Sequence, residues 1–296
     1  MSIYPGVTNG AVGVAGVSVH YYDGGHGADG APPVVLIHGT GGKVDTHFFT
    51  VYPMLASRHR VIGIELSDQN CLGTDRQAPL TVESLAQQVR SVLERVVPNQ
   101  AAILVGYSLG AGVAVEVAAS WPEDVAKLVL LNGWAKTDNA LRLRLALWQR
   151  LRNSEDKDAL AELMLSNVYG RAFLNARSWD DIVQLRDAYV VGPGSDRQMA
   201  LNMELDVCAS LQKVVAPTLV IGSTYDQLIP FSYSLELVGG IENAALAEVS
   251  SGHGSVTERP AEVFRLIDQF ARHEAGPANS ARFEDGSLKQ LAGFQS

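Results

Sequence analysis

Three residues of this 296-residue chain have the types that nucleophilic acyl chemistry needs, and they occur in the order Ser108, Asp226, His253. Ser108 is the centre of Gly106-Tyr107-Ser108-Leu109-Gly110, a Gly-x-Ser-x-Gly pattern. A serine hydroxyl is a weak nucleophile alone. It needs a base within hydrogen-bond reach, and the base needs an acid to orient it. His253 lies in Ser250-Ser251-Gly252-His253-Gly254, and Asp226 in Gly222-Ser223-Thr224-Tyr225-Asp226-Gln227. Taken singly, Asp226 suits a turn cap and His253 a loop histidine; the ordered trio carries the catalytic reading. A fourth stretch, His38-Gly39-Thr40-Gly41-Gly42, can bring backbone N–H groups close to a ligand. It is neither a phosphate loop nor a dinucleotide fingerprint, so no cofactor is expected.

The elements around these residues must place them together. Ile103-Leu104-Val105 reads as a buried strand ending at the serine, and Ala111–Ser120 as a helix stopped near Trp121-Pro122. That puts Ser108 on a sharp strand-to-helix turn, where glycines at 106 and 110 allow close passage. Pro32–Ile37 is a strand leading into the glycine-rich loop, and residues 11–22 are one or two short edge strands. His47–Leu55 and a helix from Thr81 or Ser84 to about Val97 flank the strand Arg60–Glu65. Val125–Leu131, Ala216–Gly222 and Ala244–Val249 are further strands, and Pro260–Arg272 is a closing helix. The repeated strand-then-helix order predicts an α/β fold with a mostly parallel central sheet covered on both faces, its ligands at the carboxyl ends of the strands.

Residues 134–211 break that rhythm. Stretches 140–152, 155–169, 178–190 and 195–210 read as helical, with a break at Gly192-Pro193-Gly194. The segment is expected to be an inserted helical lid over the strand ends. Its Trp134, Trp148, Tyr169, Phe173, Trp179, Tyr189, Met199 and Met203 divide between lid core and pocket wall in a way the sequence leaves open. The organisation expected is a core of 1–133 and 212–273, the lid at 134–211, and a loosely attached tail at 274–296 holding at most one short amphipathic turn.

The composition narrows the classes. Apolar residues make up 47 % of the chain, enough for a large core, and the net charge is −9. Lys and Arg form no dense block, which argues against nucleic acid. No apolar run of about 18 residues suggests a membrane span. The start, Met-Ser-Ile-Tyr-Pro-Gly, lacks a basic region and a long apolar run and does not read as a signal peptide. Cys71 and Cys208 read as free thiols of a reducing compartment, so the chain is expected in the cytoplasm, as a monomer or homodimer. His20 and His26 lack partners at metal-site spacing and read as surface residues.

The sequence resembles the α/β-hydrolase family, in its lid-bearing serine branch, over roughly residues 12–273. The resemblance rests on His38-Gly39, Gly-Tyr-Ser-Leu-Gly at 106–110, Pro217–Gly222 leading to Asp226, and Gly252-His253. It implies an oxyanion hole formed by the backbone N–H groups of Leu109 and Thr40. In some members the acid follows the strand after the elbow helix; here that place holds Asn132, which favours Asp226. Ser108 stands where dehalogenases and epoxide hydrolases of the family carry a nucleophilic Asp, which argues against both activities. Members often carry Asp-x-Arg-Gly-x-Gly-x-Ser in a loop bordering the substrate entrance. This chain has Glu65-Leu66-Ser67-Asp68-Gln69-Asn70-Cys71-Leu72-Gly73, in which Glu65 and Asp68 either meet a polar substrate or act as caps. The function expected is hydrolysis of an ester, lactone or thioester of a small molecule. Carbon–carbon cleavage of a diketone-like substrate and perhydrolysis use the same triad, and a non-hydrolytic binding or cyclisation-steering protein is the contrasting class.

Overall fold

The computed structural model describes residues 6–73, 75–190 and 195–273, and the backbone of 281–284 and 287–290. The chain opens with an antiparallel hairpin, β1 (Thr8–Val14) and β2 (Val17–Gly24), followed by β3 (Val34–Ile37). Two short helices, α1 (Val44–His47) and α2 (Val51–Ala56), stand where one was expected over 47–55. Then come β4 (Val61–Glu65), α3 (Val82–Val96), β5 (Ala102–Tyr107), α4 (Leu109–Ser120) and β6 (Val125–Leu131). Thr81 caps α3 by accepting from the Ser84 amide.

Between β6 and the next strand, residues 134–211 carry only helices among the described residues: α5 (Asn139–Arg152), α6 (Lys157–Val168), α7 (Arg171–Asn175), α8 (Trp179–Asp187), α9 (Ser195–Glu204) and α10 (Cys208–Leu211). The expected break at Gly192-Pro193-Gly194 lies outside the described residues. The helix expected over 195–210 is in two pieces. Residues 205–207 turn aside to pair with 135–137, through Thr137 N–H to the Leu205 carbonyl and Val207 N–H to the Ala135 carbonyl. The two ends of the helical segment are thereby tied together. The chain then runs through β7 (Thr218–Ser223), α11 (Phe231–Gly240), β8 (Ala244–Val249), α12 (Ser255–Glu258) and α13 (Pro260–Arg272).

The strand order is β1-β2-β4-β3-β5-β6-β7-β8, parallel from β4 onward. Each strand alternates its side chains between two apolar layers. Val35, Ile37, Leu104 and Leu130 face one, under α3, α4 and the helical segment. Val34, Leu36, Val105, Val129 and Ile221 face the other, under α2 and α13. Both faces are buried, which is why the strands read as unbroken apolar runs. The tail departs from expectation. Strands β9 (Ala281–Glu284) and β10 (Ser287–Gln290) extend the sheet beyond β8, with Leu246 opposite Arg282. An alternating stretch of such mixed polarity carries too weak a period to announce an edge hairpin.

The chain goes from β3 outward to β4, then back across to β5. This reversal opens a crevice beyond the carboxyl ends of β3 and β5. The loops that leave those two ends are residues 38–42 and the turn at Ser108.

Candidate active site

Ser108 links β5 to α4 with φ 56° and ψ −119°, left-handed backbone that a side-chain-bearing residue rarely adopts. The turn is tight enough that a Cβ at Gly106 would run into the Gly110 carbonyl, and one at Gly110 into the Ile37 carbonyl. Ser108 ends up 8 % exposed, its Oγ 3.0 Å from His253 Nε2. His253 Nδ1 lies 2.7 Å from Asp226 Oδ2. A carboxylate only accepts, so Nδ1 carries the proton and Nε2 turns its lone pair to the serine hydroxyl. Asp226 is held by the Leu228 and Ile229 amides, both donating to Oδ1 at 2.9 and 2.7 Å. The structure thus brings all three sequence candidates into one hydrogen-bonded series.

Asn132, at the end of β6 in a left-handed conformation, holds the frame of that series. Its Nδ2 donates to the His253 carbonyl at 2.7 Å, while its Oδ1 accepts from the Ser223 amide at 3.0 Å. Tyr107 Oη donates to the same His253 carbonyl at 3.1 Å. The side chain at 132 therefore clamps the aspartate-bearing and histidine-bearing strand ends rather than serving as an acid.

The 38–42 loop lies against the serine so closely that a Cβ on Gly39 would collide with Ser108 Cβ. Its amides are used unequally. Gly39 N–H donates to His47 Nδ1 at 3.1 Å, Gly41 N–H to Gln198 Oε1 at 2.7 Å, and Gly42 N–H to the Gly39 carbonyl at 3.3 Å. The Thr40 amide meets no protein acceptor among the described residues. Leu109 begins α4, so its amide has no intrahelical partner either. Both residues expected to supply oxyanion donors therefore carry uncommitted N–H groups beside the serine.

His47 escaped the sequence reading. It follows the glycine loop at no regular spacing, and nothing local marks it. Since Gly39 N–H donates to Nδ1, the ring proton sits on Nε2. Burial pushes the imidazole pKa down to about 3, helped by His38 and His253 nearby, so the ring is neutral. His38 is likewise held neutral by burial, near 4. It hydrogen-bonds the Gly39 carbonyl through Nδ1 and accepts from the Leu66 amide at Nε2, 3.0 Å away.

That last bond also holds the start of the 65–73 loop. None of those residues lines the cavity over Ser108. Glu65 Oε1 accepts from the Val44 amide at 2.9 Å, capping α1. Gln88 of α3 binds the Ser67 amide and the Ser67 and Gln69 carbonyls, and Ser84 accepts from the Cys71 amide. The loop is stitched to α3 and turned away from the site, so its unusual sequence reflects packing. Cys71 is buried and Cys208 exposed, both as free thiols.

The cavity over Ser108 has a volume of about 390 Å³. From the helical segment, Trp134, Leu145, Trp148, Met164, Val168, Tyr169 and Tyr189 line it, and Leu228, Ile229 and Val256 complete an apolar wall. The other aromatic and methionine candidates go elsewhere. Phe173 stacks on Tyr169 with ring centroids 4.6 Å apart, Met199 is buried in the core, Met203 packs against it, and Trp179 is 72 % exposed. The segment is fastened to the histidine loop: Glu258 Oε1 accepts from the Gly170 and Gly252 amides, and Gly254 N–H donates to the Val168 carbonyl. No Lys, Arg, Asp or Glu lines the cavity among the described residues. Among those residues no His, Cys, Asp and Glu cluster could hold a metal ion, and no helix is long and apolar enough to cross a membrane.

Known proteins share this architecture. A sequence model of the alpha/beta hydrolase family matches residues 34–266. A pyrrolizixenacetamide deacetylase from Xenorhabdus hominickii is 31 % identical over 252 residues, 83 % of this chain and 93 % of that protein. A 2-hydroxy-6-oxononadienedioate/2-hydroxy-6-oxononatrienedioate hydrolase from Paraburkholderia xenovorans is 28 % identical, over 87 % of this chain and 91 % of its own. Among solved structures, an alpha/beta hydrolase enzyme from a Medee basin deep-sea metagenome library superposes with a TM-score of 0.79 at 20 % identity, covering 90 % of this chain and 99 % of its own. That last likeness speaks for the fold. The family match over residues 34–266, with a relative 31 % identical across 83 % of the chain, makes this chain a member of the alpha/beta hydrolase family.

Proposed function

We propose that the chain is a serine hydrolase of the lid-bearing branch that cleaves an ester, lactone or thioester of a small neutral molecule through an acyl-enzyme. The observation that carries this reading is the Ser108–His253–Asp226 series standing beside the uncommitted amides of Thr40 and Leu109. His253 Nε2 takes the Ser108 proton as Oγ attacks the carbonyl carbon. The two N–H groups hold the oxyanion, and Asp226 stabilises the imidazolium. The imidazolium returns its proton to the leaving group as the carbonyl re-forms. Water, activated by the same base, then releases the acid and restores Ser108. Nucleophile, base, acid and oxyanion donors are all protein groups, so this chemistry needs no cofactor. Residues 134–211 act as the lid that shapes the acyl pocket, and the site works in a cytoplasmic monomer or homodimer.

Support from relatives points to carbonyl chemistry: one is named a deacetylase, the other a hydrolase of an oxo-dienedioate. The second name raises the carbon–carbon reading. A dienedioate carries two carboxylates, and burying them without a cation is costly. The apolar, uncharged lining here favours the neutral ester class over that dianionic one. The test is labelling with an alkyl nitrophenyl phosphonate followed by peptide mass spectrometry. The adduct is expected on Ser108 alone and absent from Ser108→Ala. Labelling of another serine in the parent protein contradicts the assignment.

A further inference from the structure

Helix α9 contributes two polar residues, Ser195 and Asn202, to the lining of the cavity. Ser195, Gln198 and Asn202 recur three and then four residues apart and so share one face of it. That face lies on the 38–42 loop. Gln198 Oε1 receives the Gly41 amide at 2.7 Å, and Asn202 Nδ2 donates to Thr40 Oγ1 at 2.7 Å. A Cβ placed on Gly41 would come within 3.2 Å of Ser195 Cβ. Asn202 is itself anchored, since its carbonyl accepts from Thr137 Oγ1 at 2.6 Å, and Thr137 Oγ1 accepts from Trp134 Nε1 at 2.9 Å.

Two atoms of this face are left over. Among the described residues, Asn202 Oδ1 and Ser195 Oγ are buried without a hydrogen-bond partner, and both residues line the cavity. Ser195 is 4 % and Asn202 2 % exposed. A buried acceptor left unmade costs about 1–3 kcal/mol, so folds rarely keep one without a use. The Thr40 amide is one of the two uncommitted donors beside Ser108, and the Thr40 side chain is what Asn202 holds. Both unpaired oxygens thus belong to residues of the cavity wall, and Asn202 is tied to Thr40, the residue that carries one of those donors.

We propose that Asn202 Oδ1 and Ser195 Oγ are specificity contacts for a neutral substrate bearing an N–H or O–H donor next to the carbonyl presented to Ser108. This rests on the acyl-hydrolase reading above and narrows its substrate class. A donor in that place satisfies Asn202 Oδ1; an isostere with a methylene or ether oxygen leaves it bare. A site built to receive a donor rejects the analogue lacking one far more strongly than an apolar pocket rejects a change of shape.

The test separates binding from chemistry. Full-length Ser108→Ala protein is titrated calorimetrically with two pairs that differ at one atom. Methyl benzoylglycinate is compared with methyl 4-oxo-4-phenylbutanoate, and acetanilide with phenyl acetate. The donor-bearing member of at least one pair is expected to bind about 5- to 150-fold more tightly. Adding Asn202→Leu brings that ratio to within about twofold, whereas adding Asn202→Asp, which keeps an acceptor in place, preserves it. Equal binding within both pairs overturns the proposal, as does a preference that survives Asn202→Leu. If Asn202→Leu fails to fold, loss of the preference in Asn202→Asp overturns it as well. Turnover of the same esters by the parent protein is measured separately. A preserved binding preference with no Ser108-dependent turnover removes the acyl-hydrolase reading and leaves the contact standing.

Discussion

The turn at Ser108 and the contact of α9 with the 38–42 loop border the same cavity, and they are built by different means. The turn is a backbone device. Two glycines, one strained φ and the helix that follows fix it within five consecutive residues. The α9 contact is a side-chain device. Gln198 and Asn202 reach the loop across roughly 160 positions of sequence (157 for Gln198 to Gly41, 162 for Asn202 to Thr40). The first positions the reacting oxygen with almost no freedom. The second sets which amides of the loop are occupied and which stay free. Chemistry is thus fixed locally, while selectivity is delegated to an element that can change without disturbing the turn.

The sharpest way to break the chemical side of this comparison is Asp226→Asn. The imidazole loses its orienting acceptor, and kcat with a nitrophenyl ester is expected to fall about 10⁴-fold while the melting transition persists. A loss below about tenfold would mean that the acid lies elsewhere.

The two devices are contrasted directly by a pair of substitutions. Gly110→Ala places a methyl group against the Ile37 and His38 carbonyls, atoms that cannot swing aside. Chemical denaturation is expected to show a loss of about 3 kcal/mol. Gln198→Ala instead frees the Gly41 amide; stability changes less, but kcat/KM drops about tenfold and the ranking of acyl groups shifts. If Gly110→Ala is neutral and Gln198→Ala unfolds the protein, the division between turn and contact is wrong.

The smallest effect concerns Glu65. Burial, with Asp45 nearby, raises its carboxyl to about 7 against the pull of the Val44 amide. The unfolded chain titrates near 4.5, so the cost of ionising Glu65 in the fold grows as pH rises from there through 7 and is absent below it. Glu65→Gln keeps the oxygen that accepts from Val44. It is expected to raise the melting temperature by about 2 °C at pH 8 and to leave it unchanged at pH 4. An equal shift at both values would remove ionisation as the cause.

What the sequence disclosed follows the same division. The strands, the turn, and the placement of Asp226 and His253 after strand ends were legible because periodicity, glycines and chain order are local signals. The fold class and the helical character of 134–211 were legible for the same reason. The tail strands, the splitting of 195–210 and the inward face of α9 were not, since pairings decide them at a distance. The sequence places His47 only at the start of a helix, and its role beside Gly39 depends on a ring tautomer that no pattern encodes. For the 65–73 loop the sequence leaves substrate contact and capping both open; the choice is made by distant partners, since His38, Gln88 and Ser84 take up the Leu66, Ser67 and Cys71 amides.

The central claim is that Ser108 attacks a carbonyl whose oxygen comes to rest between the amides of Leu109 and Thr40. The most direct measurement is a crystal structure of the protein with a phosphonate bound through Ser108 Oγ. The account predicts the phosphoryl oxygen about 3 Å from both amide nitrogens, with His253 Nε2 beside the leaving position. An oxygen directed away from either amide, or an adduct formed with the helices of 134–211 swung clear of it, would contradict it.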